Sequence, residues 1–386
     1  MKYLPAWGTF SVMRIALVSE SFLPHLNGVA NSVARVLEHL ERRGHEALLI
    51  APRPGPGDYA GTEVVRVPAV PLPWHRPFPL GIPCPLVERT LRRFRPDIVH
   101  VASPVLLGAE AINAATRLGI PAVAVFQTDL PGFAAHYRMS VATPTLWGWL
   151  RRVHRRATLT LAPSNATLFE LRRRGFDRVA RWGRGVDVDS FAPAFRCDAL
   201  RAELAPGGEL LIGYVGRLAA EKRVGLLTHL RGIAGCRLVV VGDGPARDRL
   251  ERKLPEARFL GFLRGTELSA AYASLDIFVH TGMNETFCQA VQEAMASSLA
   301  VVVPAAGGLT DLVDHGRTGW LWPPTEPDVL RDACLRLAGE PAWRARLGRQ
   351  ARASVMGRSW EALGDQLLGH YRAAIRRHRV PGEEAA

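Results

Sequence analysis

The sequence predicts an α/β protein made of two doubly wound parallel sheets facing a central cleft. Three observations support this. Short apolar runs rich in β-branched residues alternate with runs at helical spacing from Arg14 onward. The alternation stops in a polar, glycine-containing segment that reaches Gly208, then restarts at Leu210. At 386 residues, the chain is long enough for two such cores.

Residues 14–19 read as the first strand, followed by the turn Asn27-Gly28-Val29 and a helix over 31–43 that Gly44 closes. Residues 46–51 form the next strand, completing a βαβ unit. Strands are expected at 64–67, 97–101, 122–126 and 159–162, with a proline-rich loop over 68–85. Helices are expected near 86–93, 107–118 and 145–156, and Ser164 reads as the N-cap of another that ends at Gly175. The second series places strands at 210–215, 237–241, 257–260, 277–280 and 301–303. This gives a first domain over 1–195, a second over 196–356, and a terminal helix in 357–386 that crosses back to the first.

Composition narrows the class. No apolar run reaches the eighteen or so residues of a membrane span. Residues 1–13 lack the apolar core and cleavage site of a secretory leader, and Met13, directly before the first strand, is an alternative start. Five scattered cysteines argue for reduced thiols in a cytoplasmic protein and against a structural zinc site. The net charge of +13 favours an anionic partner. Zinc-finger spacing and RNA-binding aromatic signatures are absent, which argues against nucleic acid. Trp147-Gly148-Trp149-Leu150, running into Arg151-Arg152-Val153-His154-Arg155-Arg156, has the character of an interfacial amphipathic helix, so peripheral contact with an anionic membrane is expected.

The chemistry concentrates in the second half. The run 275–280 reads as a buried strand, and Ala290, Val291, Ala294 and Met295 recur at helical spacing after it. Glu285 then flanks a helix start, with Glu293 about two turns inside if the intervening residues are helical. A helix N-terminus is a natural seat for phosphate, and each carboxylate can accept hydrogen bonds from sugar hydroxyls. Two glutamates alone fit a capping acid and a solvated helix acid better than a sugar site. Beside them stands Gly213-Tyr214-Val215-Gly216-Arg217, with Glu221 and Lys222 shortly after. Gly216 permits close backbone approach, Arg217 can grip phosphate with two bonds, and Lys222 adds a compact charge. Asp187-Val188-Asp189 matches a metal-binding spelling, but in a linking segment it reads as turn chemistry. No strand is followed by G-x-G-x-x-G, which argues against a dehydrogenase.

Taken together, Gly216-Arg217-Leu218 with Glu221-Lys222, the pair Glu285 and Glu293, and Gly185-Val186-Asp187 ahead of Phe191 and Pro193 resemble the retaining glycosyltransferases of family four, which have the GT-B fold of two Rossmann-like domains. The resemblance spans 14–378. The wording from Asn284 through Gln289 to Glu293 is similar to that of actinobacterial GDP-mannose-dependent α-mannosyltransferases acting on lipid-linked acceptors.

The resemblance implies roles for particular residues. Arg217, Lys222 and Glu285 are the catalytic candidates, the two cations meeting the donor diphosphate and Glu285 the hexose hydroxyls. Glu293 would take the ribose hydroxyls. Gly28, Gly216, Thr286, Phe287 and Cys288 would complete the donor site. Gln127 stands where relatives often carry histidine, so only a binding role is expected there. Asp129 and His136 are acceptor-side candidates. The implied reaction moves mannose from GDP-mannose to a lipid-linked or glycolipid acceptor with retention, at the inner face of the plasma membrane, and needs no metal or other cofactor beyond the nucleotide-sugar donor. A UDP-sugar transferase of the same fold, a nucleotide-sugar epimerase and a non-catalytic binding protein are the competing readings.

Overall fold

The computed structural model describes residues 12–25, 27–72, 75–129, 132 and 143–379, with the backbone alone at 71, 72 and 75–79. Eight strands form the first sheet in the order Val179–Arg181, Leu159–Ala162, Ala122–Val125, Ile98–Val101, Arg14–Val18, Glu46–Pro52, Thr62–Val67 and Asp58–Tyr59. Only the last pair is antiparallel. The second sheet runs Arg258–Gly261, Cys236–Val241, Leu210–Val215, Ile277–Val279, Ala300–Pro304 and Trp320–Trp322, every neighbour parallel. The first strand of each series lies inside its sheet, with the chain's next strand on one side and a later one on the other. Strand order therefore reverses beside Arg14–Val18 and beside Leu210–Val215, the positions where open α/β sheets offer a crevice at their carboxyl edge.

The central strands are buried on both faces, as in Leu17, Val18, Leu211 and Ile212. That is why they read as continuous apolar runs rather than alternating ones. Each fully buried Leu or Ile contributes about 1.5–3 kcal/mol relative to exposure. The helix Gly28–Arg42 starts three residues earlier than expected, because Asn27 Oδ1 accepts from the backbone N–H of Val29 and Ala30. Ser164 caps Asn165–Arg173 as expected, accepting from Thr167 N at 3.1 Å.

Three features depart from the sequence reading. The proline-rich stretch contains a ribbon of Ala69–Leu72 against His75–Gly81, and with only two strands each has an outer edge on which a missing proline N–H costs no bond. Val186, Val188 and Phe191 pack into the core of the second sheet, so the chain changes core before the boundary expected at 195. The indoles of Trp147 and Trp149 pack against the first domain rather than pointing outward together. The helix Thr143–His154 thus keeps exposed arginines but no free aromatic face.

The last helix, Trp360–Arg379, buries Leu363, Leu367, Leu368, Tyr371 and Ala374 in the core of the first sheet. Trp182 Nε1 donates to Leu363 O at 2.9 Å, and the Tyr371 hydroxyl is 2.8 Å from His100 Nδ1. The chain therefore passes between the sheets twice, once near Arg184 and again ahead of Trp360.

Candidate active site

A cavity of about 590 Å³ opens between the two sheets at their carboxyl edges. One wall comes from Asn27, Gly28 and the segment 127–129, the other from 214–217, Glu221, Lys222 and 284–290. Ten of the expected residues meet there: Gly28, Gln127, Asp129, Gly216, Arg217, Lys222, Glu285, Thr286, Phe287 and Cys288. Glu293 is not in that lining. It is the fifth residue of the helix Gln289–Ala296, and its Oε2 accepts from the Tyr272 hydroxyl at 3.1 Å. Residues 285–288 are not helical, so the two glutamates are not separated by two helical turns as expected. Burial raises the Glu293 carboxyl to about 7 against the Tyr272 hydrogen bond. His136 lies outside the described residues.

Local sequence explains how the second wall forms. The strand Leu210–Val215 ends at Gly216, whose φ of +154° suits glycine, and the chain then turns through Ala220–Lys222. Gly242, at the end of Cys236–Val241, has a φ of +128°, and a Cβ there would run into Gly216 O. The turn carrying Arg217 thus depends on a glycine from the neighbouring strand. Gly307 and Gly308 do the same for the loop of Glu285. Gly308 N donates to Glu285 O at 2.7 Å, and side chains at either glycine would strike the backbone of Glu285 or Thr286.

Electrostatics centre on one carboxylate oxygen. Glu285 Oε1 accepts from Lys222 Nζ at 2.6 Å and lies 2.9 Å from His280 Nε2. Burial opposes ionisation of Glu285, but Lys222 and His280 outweigh it and hold the carboxyl at about 2. Burial likewise disfavours the imidazolium of His280, yet Cys288 and Glu285 together raise it to about 9. The imidazole also stacks on Tyr214, ring centroids 6.0 Å apart. Arg217 is 3.6 Å from Glu221. Cys288 provides no side-chain cap for the helix Gln289–Ala296, whose first N–H groups therefore keep their partial positive charge beside the loop of Glu285.

Among the described residues, His280, Glu285 and Cys288 form one cluster of metal-ligand types, with ligand atoms all within 4.8 Å of one another. The Lys222 ammonium on Glu285 Oε1 opposes a second cation there, so the group does not fit a metal site. Asp187 behaves as turn chemistry: Oδ1 accepts from Ser190 N at 2.9 Å, and Oδ2 is 3.4 Å from Arg35.

Sequence reasoning missed His280, Arg184 and the Gly307-Gly308 pair. Only the glycine pair left a visible sign, as a double glycine after a strand. Gln127 is in the cavity wall, but both ends of its amide are engaged, Nε2 by Ala102 O and Oε1 by Arg184. The two walls also touch directly, with Thr286 Oγ1 donating to Gln127 O at 3.2 Å.

Comparison with known proteins agrees with this architecture. Residues 26–190 match the model of Glycosyltransferase Family 4, and 209–340 match that of Glycosyl transferases group 1. A GDP-mannose-dependent alpha-mannosyltransferase of Mycobacterium tuberculosis (strain CDC 1551 / Oshkosh) is 51% identical, covering 94% of this chain and 97% of the relative. The protein of that name from Mycolicibacterium smegmatis (strain ATCC 700084 / mc(2)155) is 49% identical, covering 95% and 99%. Among solved structures, sucrose-phosphate synthase from Thermosynechococcus elongatus superposes with a TM-score of 0.76 at 21% identity, covering 94% of this chain and 99% of that one. An Anabaena protein, HepE, in complex with UDP gives 0.75 at 19%, covering 94% and 100%. At such identities the two structures speak for the fold alone, which is GT-B.

Proposed function

The chain belongs to glycosyltransferase family 4, and we propose that it transfers mannose from GDP-mannose, with retention, to a lipid-linked or glycolipid acceptor. The observation that carries this reading is the convergence of Arg217, Lys222, Glu285 and an uncapped helix start on one interdomain cleft. The mycobacterial relatives supply the donor, since both are GDP-mannose-dependent mannosyltransferases by name.

The chemistry follows from where charge develops. As the bond from the hexose anomeric carbon to phosphate breaks, the sugar becomes oxocarbenium-like and negative charge grows on the departing diphosphate. Arg217, Lys222 and the N-terminus of Gln289–Ala296 stand where fixed positive charge would stabilise it without reorganising. Gly28 and Gly216 let the backbone approach the phosphates closely. Glu285, kept ionised, accepts from hexose hydroxyls and orients the ring, and Thr286, Phe287 and Cys288 complete the loop beneath it. Glu293 takes the ribose hydroxyls after exchanging its Tyr272 partner. The acceptor hydroxyl attacks from the face the diphosphate leaves, and its proton passes to a phosphate oxygen. No protein nucleophile and no metal enter these steps. Gln127 and Asp129 line the acceptor side.

In this reading the first domain carries the acceptor half and the second the donor half, and the helix Trp360–Arg379 ties them together. No helix among the described residues is long and apolar enough to cross a membrane. A lipid acceptor would be reached at the inner membrane face through the exposed Arg151, Arg152, Arg155 and Arg156.

The deciding experiment compares donor turnover and thermal stabilisation with GDP-mannose, UDP-glucose and UDP-N-acetylglucosamine. Preference for GDP-mannose supports the reading. Preference for a uridine donor discards the mannose assignment and keeps the mechanism. Conversion of donor to an isomeric nucleotide sugar without acceptor favours an epimerase.

A further inference from the structure

Arg184 has no role in the mechanism above. It is only 9% exposed, yet it helps line the cleft. Its guanidinium donates to Gln127 Oε1, and Gln127 is held in turn through Nε2 on Ala102 O. The backbone beside it is fixed as well. Gln292 Nε2 donates to Arg184 O at 3.0 Å, and Gln289 Nε2 to Gly185 O at 3.1 Å.

This cation differs from its neighbours in what balances it. Lys222 has Glu285 at 2.6 Å, and Arg217 has Glu221 at 3.6 Å. Among the described residues, no carboxylate pairs with Arg184. Burial lowers its pKa, to about 10. Its charge also reaches the buried His100, where it adds to desolvation in keeping the imidazole neutral. A buried charge without a counter-charge is costly, and a neutral amide oxygen supplies a hydrogen bond but no charge. One hydrogen bond thus meets the guanidinium, and three more through glutamine side chains fix Gln127 and the backbone at Arg184 and Gly185, with no carboxylate among the described residues to balance the charge.

We propose that Arg184 is the seat of an oxyanion group, phosphate or carboxylate, carried by a ligand in the cleft, and that Gln127 is the positioning residue that aims it. Two sources share this chemistry: the diphosphate of the donor, and an acidic group on the acceptor. The choice between them rests on the transferase reading, whereas the existence of the seat does not.

The test uses the full chain as wild type, Arg184→Gln and Arg184→Lys. GDP affinity is measured by calorimetry, and sulfate is titrated by thermal shift with and without saturating GDP. If the seat serves the diphosphate, Arg184→Gln binds GDP at least tenfold more weakly, Arg184→Lys recovers part of the loss, and sulfate adds nothing to the GDP complex. If it serves the acceptor, GDP affinity changes less than twofold, while sulfate stabilises GDP-saturated wild type and not Arg184→Gln. A folded Arg184→Gln with unchanged GDP affinity and an unchanged sulfate response overturns the proposal. Should that variant not fold, Gln127→Ala releases the guanidinium from its aim and is compared in the same two titrations. Wild type that binds no nucleoside diphosphate would count against the transferase reading, and the sulfate response without GDP would still report on Arg184.

Discussion

Lys222 Nζ stands 2.6 Å from Glu285 Oε1, so the cation assigned to the leaving diphosphate also neutralises the carboxylate assigned to the sugar. The two roles are therefore coupled. A phosphate that draws the ammonium toward itself loosens its hold on Glu285, leaving His280 at 2.9 Å as the partner that remains.

Lys222→Ala removes both functions together. Loss of one preorganised charge from a developing anion lowers the rate by roughly 10²–10³-fold, and Glu285 is left with His280 as its remaining cation. We expect kcat for mannosyl transfer to fall by about that factor and GDP binding to weaken with it. Initial rates at saturating donor measure this, and a loss below about threefold would remove Lys222 from the proposed role.

His280 is expected to set the alkaline limit of stability. Its folded pKa, about 9, lies above the ordinary histidine value of 6.5. A group raised on folding contributes stability that is complete below its unfolded pKa and lost as pH rises through the folded one. Wild type should therefore lose stability between pH 6.5 and 9, and activity should fall along the same limb as Glu285 loses a cationic partner. His280→Gln should flatten the stability curve across that window. Denaturation profiles at several pH values decide it, and an identical slope in the variant would contradict the assignment.

These residues also show what was legible in the sequence. The sheets were readable because strands buried on both faces leave unbroken β-branched runs such as Val239, Val240 and Val241. Ser164 was readable because N-capping is a local contact, three residues long. Arg217, Lys222 and Glu285 were singled out by motif resemblance, and the fold brings them into one cavity. The path between Glu285 and Glu293 was misjudged because the loop over 285–288 is shaped by Gly308, 23 residues away. His280 looked like the end of a strand, and Arg184 like one more arginine in a chain rich in them. Their meaning comes from burial and from partners such as Gln127, which spacing does not reveal.

The docking of the last helix gives a stability prediction. Tyr371 and His100 are both buried, and His100 is held neutral by burial, with its pKa near 3. Tyr371→Phe keeps the ring and strands His100 Nδ1 without its partner at 2.8 Å. Leaving a buried polar atom unpaired costs about 1–3 kcal/mol. Urea denaturation should show that loss, while the donor affinity of the folded variant stays within about twofold, because neither residue lines the cleft. An unchanged midpoint would mean that this pair does not hold the helix in place.

The helix Thr143–His154 separates packing from membrane contact. Trp147 stacks on Phe126 at 5.8 Å, with the Arg174 guanidinium 4.0 Å above its ring. An indole held between two partners is part of the domain's own packing, so Trp147→Ala should lower stability by about 2 kcal/mol and leave vesicle binding intact. Arg151 and Arg155 are exposed and lie four residues apart, on one side of the helix end. Each basic residue near an anionic surface is worth about 1 kcal/mol, so Arg151→Gln with Arg155→Gln should weaken binding to phosphatidylserine vesicles roughly thirtyfold. Co-sedimentation of both variants distinguishes the cases. If Trp147→Ala abolished vesicle binding at unchanged stability, the indole would belong to the membrane face after all. If the double arginine variant bound as wild type does, the protein would reach its acceptor by another surface.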